Sequence, residues 1–338
     1  MEPYSACVIQ PRMKSDKKEQ VTRCLELIDN AVPFVSVVSA PCKLLLFPEC
    51  FLQPAKGGMI KNPTHQERIK RMKERAIYFP GEETDMIGER ARANKCYVSG
   101  QIEGIIPEFP DRFFSIAFII GPNGKPIHRY FKTTTTNAFE VPMSPQDIYD
   151  DYVKVFGDKL ESFFPVANTD IGRLGTLICG DGMYPEYARG LGLQGMEVLL
   201  RPTSSPDPTT EEPNDVWTVQ NRARALENCC YVMFSNQGGG GYMGMDVCAG
   251  NSIIVDYLGR IMAHVTKGGE TLIHTTISID TLRAFRRHSG GWGGIHNLRT
   301  DAIKKIYENE FWPKNVWKDK QPLTLKEIAE RRDPITQG

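Results

Sequence analysis

The residue with the most informative surroundings is Cys179, which follows an apolar run at 174–178 and precedes Gly180-Asp181-Gly182. The apolar run predicts a buried strand, and a glycine just after it permits a sharp turn that exposes the sulfur. The same turn would direct a backbone N–H towards an incoming carbonyl group. Most free cysteines are buried core residues, but the glycine-rich turn and Pro185 at the start of a predicted helix favour a nucleophile here.

Two further polar residues also follow apolar runs. Glu49 comes after the run at 44–48, and Lys132 follows the second strand of a predicted hairpin. Taken alone, each is an ordinary residue for an exposed loop. Strand ends at the edge of an α/β core are places where a rigid scaffold presents functional groups. Glu49, Lys132 and Cys179 are therefore all candidates for functional residues.

The elements that would position these residues alternate along the chain. A strand at 4–10 precedes an amphipathic helix at 17–30, and Asn123-Gly124 predicts a hairpin between strands at 113–120 and 126–131. Further helices are predicted at 67–78, 83–94, 184–194 and 214–228, and further strands at 96–102, 173–179, 198–201, 230–235, 251–257, 261–265 and 272–279. Interleaved strands and helices indicate the α/β class, while the hairpins argue against a purely doubly wound sheet.

Composition argues against several classes of protein. The 338 residues are 41% hydrophobic and carry 41 basic and 41 acidic side chains, so the chain offers no basic excess to nucleic acid. It has no signal-peptide pattern and no apolar stretch of about 18 residues. Nine scattered cysteines without a CxxC motif, and six histidines without an HxxxH or HxH motif, favour a reduced, cytoplasmic protein without a metal. We expect neither nucleic acid nor membrane as a partner.

Several segments, taken in their order along the chain, resemble the nitrilase superfamily of carbon–nitrogen hydrolases. They are Phe47-Pro48-Glu49, Tyr130-Phe131-Lys132, the stretch from Ile178 to Glu186, and the segments at 222–236 and 250–259. The resemblance covers roughly residues 4 to 300. It implies a four-layer αββα sandwich and a Glu-Lys-Cys triad formed by Glu49, Lys132 and Cys179, with no cofactor.

The resemblance also implies an organisation for the chain. Residues 1–300 would form the hydrolase domain. Residues 301–338 would form a C-terminal extension, packing on the domain or on a partner subunit. Members of the superfamily usually pair through helices that flank the active site, so we expect a homo-oligomer built from dimers.

The segment around Cys179 is most similar to aliphatic amidases and formamidases, which carry Cys-x-Asp-Gly followed by an aromatic residue, Pro and Glu. Glu140, eight residues after Lys132, resembles a second glutamate that such amidases use to position the substrate. The stretch 133–139 departs from their pattern, so the wall of the pocket differs. Gly180, through its backbone N–H, and the aromatic residues Tyr184, Trp217 and Trp292 are candidates to line the substrate site.

The predicted function is hydrolysis of a small-molecule amide to an acid and ammonia, through a thioester on Cys179. A ureido or larger amide is an alternative substrate. A nitrile is disfavoured, because nitrilases usually follow the cysteine with Trp-Glu. Two further hypotheses are a non-catalytic member of the superfamily, opposed by the intact set of three residue types, and a metal-dependent amidohydrolase, opposed by the histidine spacing.

Overall fold

Two β-sheets pack face to face in the computed structural model, which describes residues 1–54, 64–135, 141–205, 215–240, 250–288, 295, 297–308 and 312–336. One buried apolar cluster fills the space between the sheets, and two others lie between each sheet and the helices outside it. The layers are therefore helix, sheet, sheet and helix. The predicted αββα sandwich is confirmed.

The first sheet has seven strands in the order β13-β1-β2-β4-β5-β6, with β3 paired to β4. Strands β1, β2 and β4 are mutually parallel, whereas β4, β5 and β6 form antiparallel hairpins. The strands are β1 (Tyr4–Gln10), β2 (Cys42–Leu46), β3 (Ile77–Tyr78), β4 (Tyr97–Ile106), β5 (Phe109–Ile120), β6 (Pro126–Phe131) and β13 (Thr271–Ile277).

The second sheet has six strands in the order β12-β11-β10-β9-β8-β7. Its central strands β8, β9 and β10 are parallel. Strand β7 pairs antiparallel with β8 at one edge, and β11 and β12 extend the other side through antiparallel pairs. The strands are β7 (Val166–Thr169), β8 (Gly172–Thr176), β9 (Val198–Pro202), β10 (Tyr231–Ser235), β11 (Ile253–Val255) and β12 (Ile261–His264).

Alternation along each strand produces the layers, because successive side chains of a strand point to opposite faces. In β1, Ala6 and Val8 enter the cluster between the sheets, while Cys7 and Ile9 enter the cluster beneath the outer helices. Both faces of the central strands are thus covered. This explains their nearly continuous apolar runs.

Helices cover the outer faces of both sheets, and none in the described part of the chain is long and apolar enough to cross a membrane. Asp16 caps the first helix by accepting a hydrogen bond from the Glu19 N–H at 2.9 Å. The helices are α1 (Lys17–Val38), α2 (His65–Arg75), α3 (Glu82–Ala93), α4 (Tyr149–Phe156), α5 (Leu160–Phe163), α6 (Pro185–Leu193), α7 (Val216–Asn228), α8 (Ile279–His288), α9 (Thr300–Ile303) and α10 (Leu325–Thr336).

Some element boundaries differ from the sequence-based prediction. The predicted helix at 67–78 ends at Arg75, and Ile77 and Tyr78 pair with β4 instead. The predicted strand at 173–179 ends at Thr176, and a short 3-10 turn begins at Cys179. Helix α8 was not predicted. It packs Ile279 and Leu282 into the cluster between the sheets.

The described part of the C-terminal segment lies against the first sheet. Trp317 is fully buried in the cluster beneath the outer helices of that sheet, together with Ile328 of α10. The Trp317 N–H donates to the Asp147 carbonyl at 3.0 Å, and Arg112 donates to the Trp317 carbonyl at 3.1 Å. The segment therefore shares the core of the residues that precede it.

A polar contact also joins the two sheets inside the sandwich. The His128 ring of β6 lies 2.8 Å from the Thr176 hydroxyl of β8. Burial lowers the pKa of His128 to about 3, because the charged imidazolium would lose its hydration. The ring is therefore neutral in the folded protein at every pH at which the protein would normally be handled.

This lowered pKa predicts acid sensitivity. Below about pH 6.5 the unfolded chain protonates His128 and the folded protein does not, so stability falls as the pH decreases from about 6.5 towards 3. At pH 5 the linkage amounts to about 2 kcal/mol. Urea unfolding of wild type and His128→Asn at pH 7 and pH 5 measures it. The variant should lose about that much less than wild type, and equal losses would contradict the prediction.

Candidate active site

The two sheets bring strand ends from different parts of the chain to one edge of the sandwich. Glu49 follows β2 of the first sheet, and its N–H donates to the Thr203 carbonyl beyond β9 of the second sheet at 3.1 Å. The Gln237 side chain, beyond β10, donates to the Glu49 carbonyl at 2.9 Å. Backbone contacts to both of those strand ends therefore fix the position of Glu49.

Glu49 and Lys132 form an ion pair at this edge. The Lys132 ammonium nitrogen lies 3.4 Å from Glu49 Oε1, and the two residues are only 3% and 8% exposed. The backbone N–H of Lys132 donates to the Ser115 carbonyl of β5 at 2.9 Å, so the backbone of Lys132 is held against strand β5. A buried pair of this kind holds both charges in place with little water to screen them.

Asp181 ties the turn that contains Cys179 to the segment that contains Lys132. Its carboxylate accepts hydrogen bonds from the Tyr130 hydroxyl at 2.8 Å and from the N–H groups of Thr133 and Thr134 at 3.3 and 2.8 Å. These three donors lie on both sides of Lys132. Burial raises the pKa of Asp181 to about 6, and the Lys132 charge and these hydrogen bonds oppose that rise.

Cys179 differs from the other described cysteines in exposure, and its backbone has a positive φ that only Cys50 and Cys229 share among them. Of the eight cysteines in the described ranges, seven are buried and Cys179 alone is partly exposed. Burial raises the pKa of thiols such as Cys42 and Cys96 to about 12, which leaves them unreactive at neutral pH. Cys179 has a positive φ of 46°, a conformation that L-residues rarely adopt and that often marks a functional site.

The sharp turn is therefore made by Cys179 itself and not, as predicted, by Gly180. Gly180 is not among the residues with positive φ, and a Cβ placed on it would meet no atom of the described residues within 4 Å. Gly182 is the glycine that sterics require. A Cβ at Gly182 would lie 1.9 Å from Nη2 of Arg201.

Two buried arginines hold the turn, and the sequence analysis assigned neither of them a function. Arg201, at the end of β9, donates to the Cys179 carbonyl at 3.0 Å. Arg224 of α7 donates to the carbonyls of Gly182 and Met183 at 3.0 and 2.9 Å. The sequence does contain one signal for Arg201. It directly follows the apolar residues 198–200 of a predicted strand, and a buried charge in a strand is unusual.

A family comparison agrees with this geometry. Residues 5–287 match the family model described as carbon-nitrogen hydrolase. The chain belongs to the carbon–nitrogen hydrolase family. The predicted resemblance to the nitrilase superfamily is confirmed, and so is the prediction of a hydrolase that acts on carbon–nitrogen bonds.

Individual proteins of this family are similar over most of the chain. A deaminated glutathione amidase of Synechocystis is 27% identical over 264 residues, covering 78% of this chain and 88% of its own. A formamidase of Bacillus cereus is 27% identical over 299 residues, covering 87% and 77%. An amidase from Nesterenkonia sp. AN1, of the nitrilase superfamily, shares the fold with a TM-score of 0.63 at 16% identity, covering 89% and 96%. Its active-site cysteine carries an acetamide moiety in that structure.

Two aromatic residues predicted to line the substrate site of this hydrolase lie near the Cys179 turn. Tyr184 ends the turn, is 43% exposed and packs on Tyr187 with ring centroids 5.1 Å apart. Trp217 is buried, stacks on Phe234 and donates from its indole nitrogen to Ser205 Oγ at 3.0 Å. Trp217 therefore belongs to the apolar cluster between the second sheet and the helices outside it.

Other predicted site residues are not in the part of the chain that the structure describes. Glu140 and Trp292 lie outside the described residues, as do positions 136–139 of the predicted pocket wall. Within the described ranges, no group of three or more His, Cys, Asp or Glu side chains is arranged to hold a metal ion.

The hydrogen bonds to Asp181 generate a prediction. In Asp181→Asn the amide offers one acceptor oxygen and no charge, so it cannot replace the carboxylate on all three donors. Displacement of Lys132 should lower kcat by about ten- to hundredfold. Tyr130→Phe removes one donor only and should have a smaller effect. Steady-state amide hydrolysis, with thermal unfolding to verify folding, measures both. Wild-type kcat in a folded Asp181→Asn would refute the positioning role.

Proposed function

We propose that this hydrolase is an amidase that cleaves the carbon–nitrogen bond of a small linear amide, with Cys179 as nucleophile. The observation that carries the proposal is the buried Glu49–Lys132 pair at 3.4 Å, next to a turn that presents the only partly exposed cysteine of the described ranges. A base, a cation and a thiol are the groups that acyl transfer through a thioester requires. In the Nesterenkonia amidase the active-site cysteine carries the acetamide moiety of fluoroacetamide covalently, which supports a cysteine as the reactive group.

The first half of the proposed reaction forms the thioester. Glu49 accepts the thiol proton while Cys179 Sγ attacks the carbonyl carbon of the amide. The Lys132 ammonium and the Gly180 backbone N–H stabilise the oxygen anion of the tetrahedral intermediate, at about 3–4 kcal/mol for each donor. Glu49 then gives its proton to the amide nitrogen, the carbon–nitrogen bond breaks, and ammonia leaves.

The second half regenerates the enzyme. Glu49 removes a proton from a water molecule, and the hydroxide attacks the thioester carbonyl. The resulting intermediate is stabilised by the same two donors. It collapses to the carboxylic acid, the carbon–sulfur bond breaks, and Glu49 returns the proton to Cys179. Atoms and charges balance without any added cofactor.

The proposed substrate class is a short aliphatic amide or formamide. The Bacillus cereus relative is named a formamidase, and the Cys179 segment resembles this branch. Glu140 is proposed to position the amide nitrogen. A larger amide is the second candidate, because among the described residues no atom lies within 4 Å of a Cβ placed on Gly180, and the Synechocystis relative is named for a larger substrate.

A substrate panel tests this proposal. Purified protein is incubated with formamide, acetamide, propionamide, a longer dicarboxylic amide, a ureido acid and an aliphatic nitrile, and release of ammonia and acid is measured. We expect the short amides to have the highest kcat/KM. A preference for the longer amide would favour the second candidate. A preference for the nitrile would refute the amidase assignment.

Variants of the proposed triad accompany the panel. Cys179→Ala, Glu49→Gln and Lys132→Met should each lower kcat by about 10³-fold or more, because each removes a group needed in both halves of the reaction. Glu140→Gln should lower kcat less. Cys42→Ala is the matched control, since Cys42 is a buried thiol of the first sheet, and it should retain activity. Wild-type turnover in Cys179→Ala would exclude the cysteine mechanism.

We further propose that the amidase is a homo-oligomer built from dimers that pair through α6 and α7. Both helices flank the Cys179 turn and carry exposed apolar side chains, among them Leu193, Val219 and Leu226 at 47, 67 and 50% exposure. Cytoplasmic location stays a prediction.

Sedimentation velocity tests the pairing. The double variant Val219→Glu/Leu226→Glu should dissociate a dimer, because it places charges in an apolar interface. Val37→Glu is the control, since Val37 is 86% exposed at the end of α1, and it should leave the assembly unchanged. A monomeric wild-type protein, or a double variant that sediments like wild type, would refute the proposed pairing.

A further inference from the structure

Arg201 is a fully buried charged residue beside the proposed nucleophile. Its Nη2 donates to the Cys179 carbonyl at 3.0 Å, and its Nη1 donates to the Asn221 side chain of α7. The guanidinium carbon lies 5.7 Å from the Trp217 ring centroid and 5.6 Å from that of Phe234. The two aromatic faces and the two hydrogen bonds fix the guanidinium in one position.

The surrounding chain is shaped to admit this guanidinium. A Cβ at Gly182 would lie 1.9 Å from Nη2, 2.0 Å from Cζ and 2.3 Å from Nε of Arg201. Only glycine fits there. The hydrogen bond to the Cys179 carbonyl also holds a residue whose φ of 46° costs energy for an L-residue.

The charge of Arg201 is not neutralised by an ion pair. Among the described residues no carboxylate forms one with it, and its Nε has no hydrogen-bond acceptor. Burial lowers the pKa of Arg201 to about 10, and the nearby Cys179 and Asp181 oppose this change. The group therefore still carries its charge at neutral pH. A buried cation without a direct ion-pair partner is costly in stability, and a thiolate at the adjacent Cys179 would lower that cost.

We propose that Arg201 is a positioning residue that stabilises the Cys179 thiolate and fixes the strained turn from which the sulfur attacks. This inference rests on the proposed function, which makes Cys179 the nucleophile. It adds a second cation near the turn, besides Lys132. The described charged groups around this turn include Glu49, Lys132, Asp181, Arg201 and Arg224, the last of which is paired with Glu227.

The pH dependence of alkylation tests the thiolate directly and needs no amide substrate. The enzyme is treated with iodoacetamide at a series of pH values, and the rate at Cys179 is followed by mass spectrometry of its peptide. In Arg201→Met the midpoint of the pH profile should rise by about one unit or more, since one neighbouring charge is lost. Arg201→Lys keeps the charge, and its midpoint should stay near that of wild type. Arg189→Met, on α6, is the matched control and should not shift it.

A second variant keeps the test decisive if Arg201→Met does not fold. Gly182→Ala displaces the guanidinium by contact and leaves Arg201 in the chain, so its midpoint should also rise. Near pH 7 both variants should lose about tenfold in kcat with a smaller change in KM, and part of the kcat loss should be recovered at higher pH.

Two outcomes would overturn the inference. One is a wild-type alkylation profile in folded Arg201→Met or, where that variant is insoluble, in folded Gly182→Ala. The other is a midpoint in Arg201→Lys raised as far as in Arg201→Met, because charge would then not be the cause. Neither outcome depends on amide turnover. Failure of the amidase proposal would appear separately, as wild-type turnover in Cys179→Ala.

Discussion

One buried carboxylate, that of Asp181, joins the two halves of the candidate site. Its donors come from the end of β6 in the first sheet, while Asp181 itself belongs to the turn after β8 in the second. Apolar packing between the two sheets is not directional, so by itself it does not fix the distance between the Lys132 and Cys179 segments. Hydrogen bonds to a charged acceptor are both stronger and directional. The position of Lys132 beside Glu49 therefore depends on a residue two positions after the proposed nucleophile.

The backbone at Cys179 shows how the surroundings hold a strained conformation. A positive φ is unfavourable for cysteine, so neighbouring groups must determine it. Arg201 fixes the carbonyl of the same residue, and Arg224 fixes the two carbonyls at the far end of the turn. All three carbonyls are thus bound by cations carried on buried elements. The backbone that carries the sulfur is consequently held rigidly at the edge of the sandwich.

The sequence was sufficient to predict features that depend on neighbouring residues in the chain or on the type of a single residue. Glu49, Lys132 and Cys179 were singled out because each follows an apolar run, and the order of strands and helices indicated the α/β class. The resemblance to the nitrilase superfamily then implied the triad and the layered αββα fold. The roles of Asp181 and Arg201 were missed, because each depends on partners in other elements. The turn was assigned to Gly180, since glycine is the residue that most readily adopts positive φ, whereas tertiary hydrogen bonds impose that conformation on Cys179 instead.

The charges around Cys179 explain why the site contains two cations, although one would be enough to bind an oxyanion. Among the described residues, Lys132 and Arg201 face Glu49 and Asp181, while Arg224 is paired with Glu227 at 2.9 Å. With a neutral thiol and an ionised Glu49, this group sums to zero. After the thiol proton moves to Glu49, the sum is again zero. Charging a buried site is costly, whereas moving a proton within a neutral one is not. The second cation thus lets the thiolate form without leaving the site with an uncompensated negative charge.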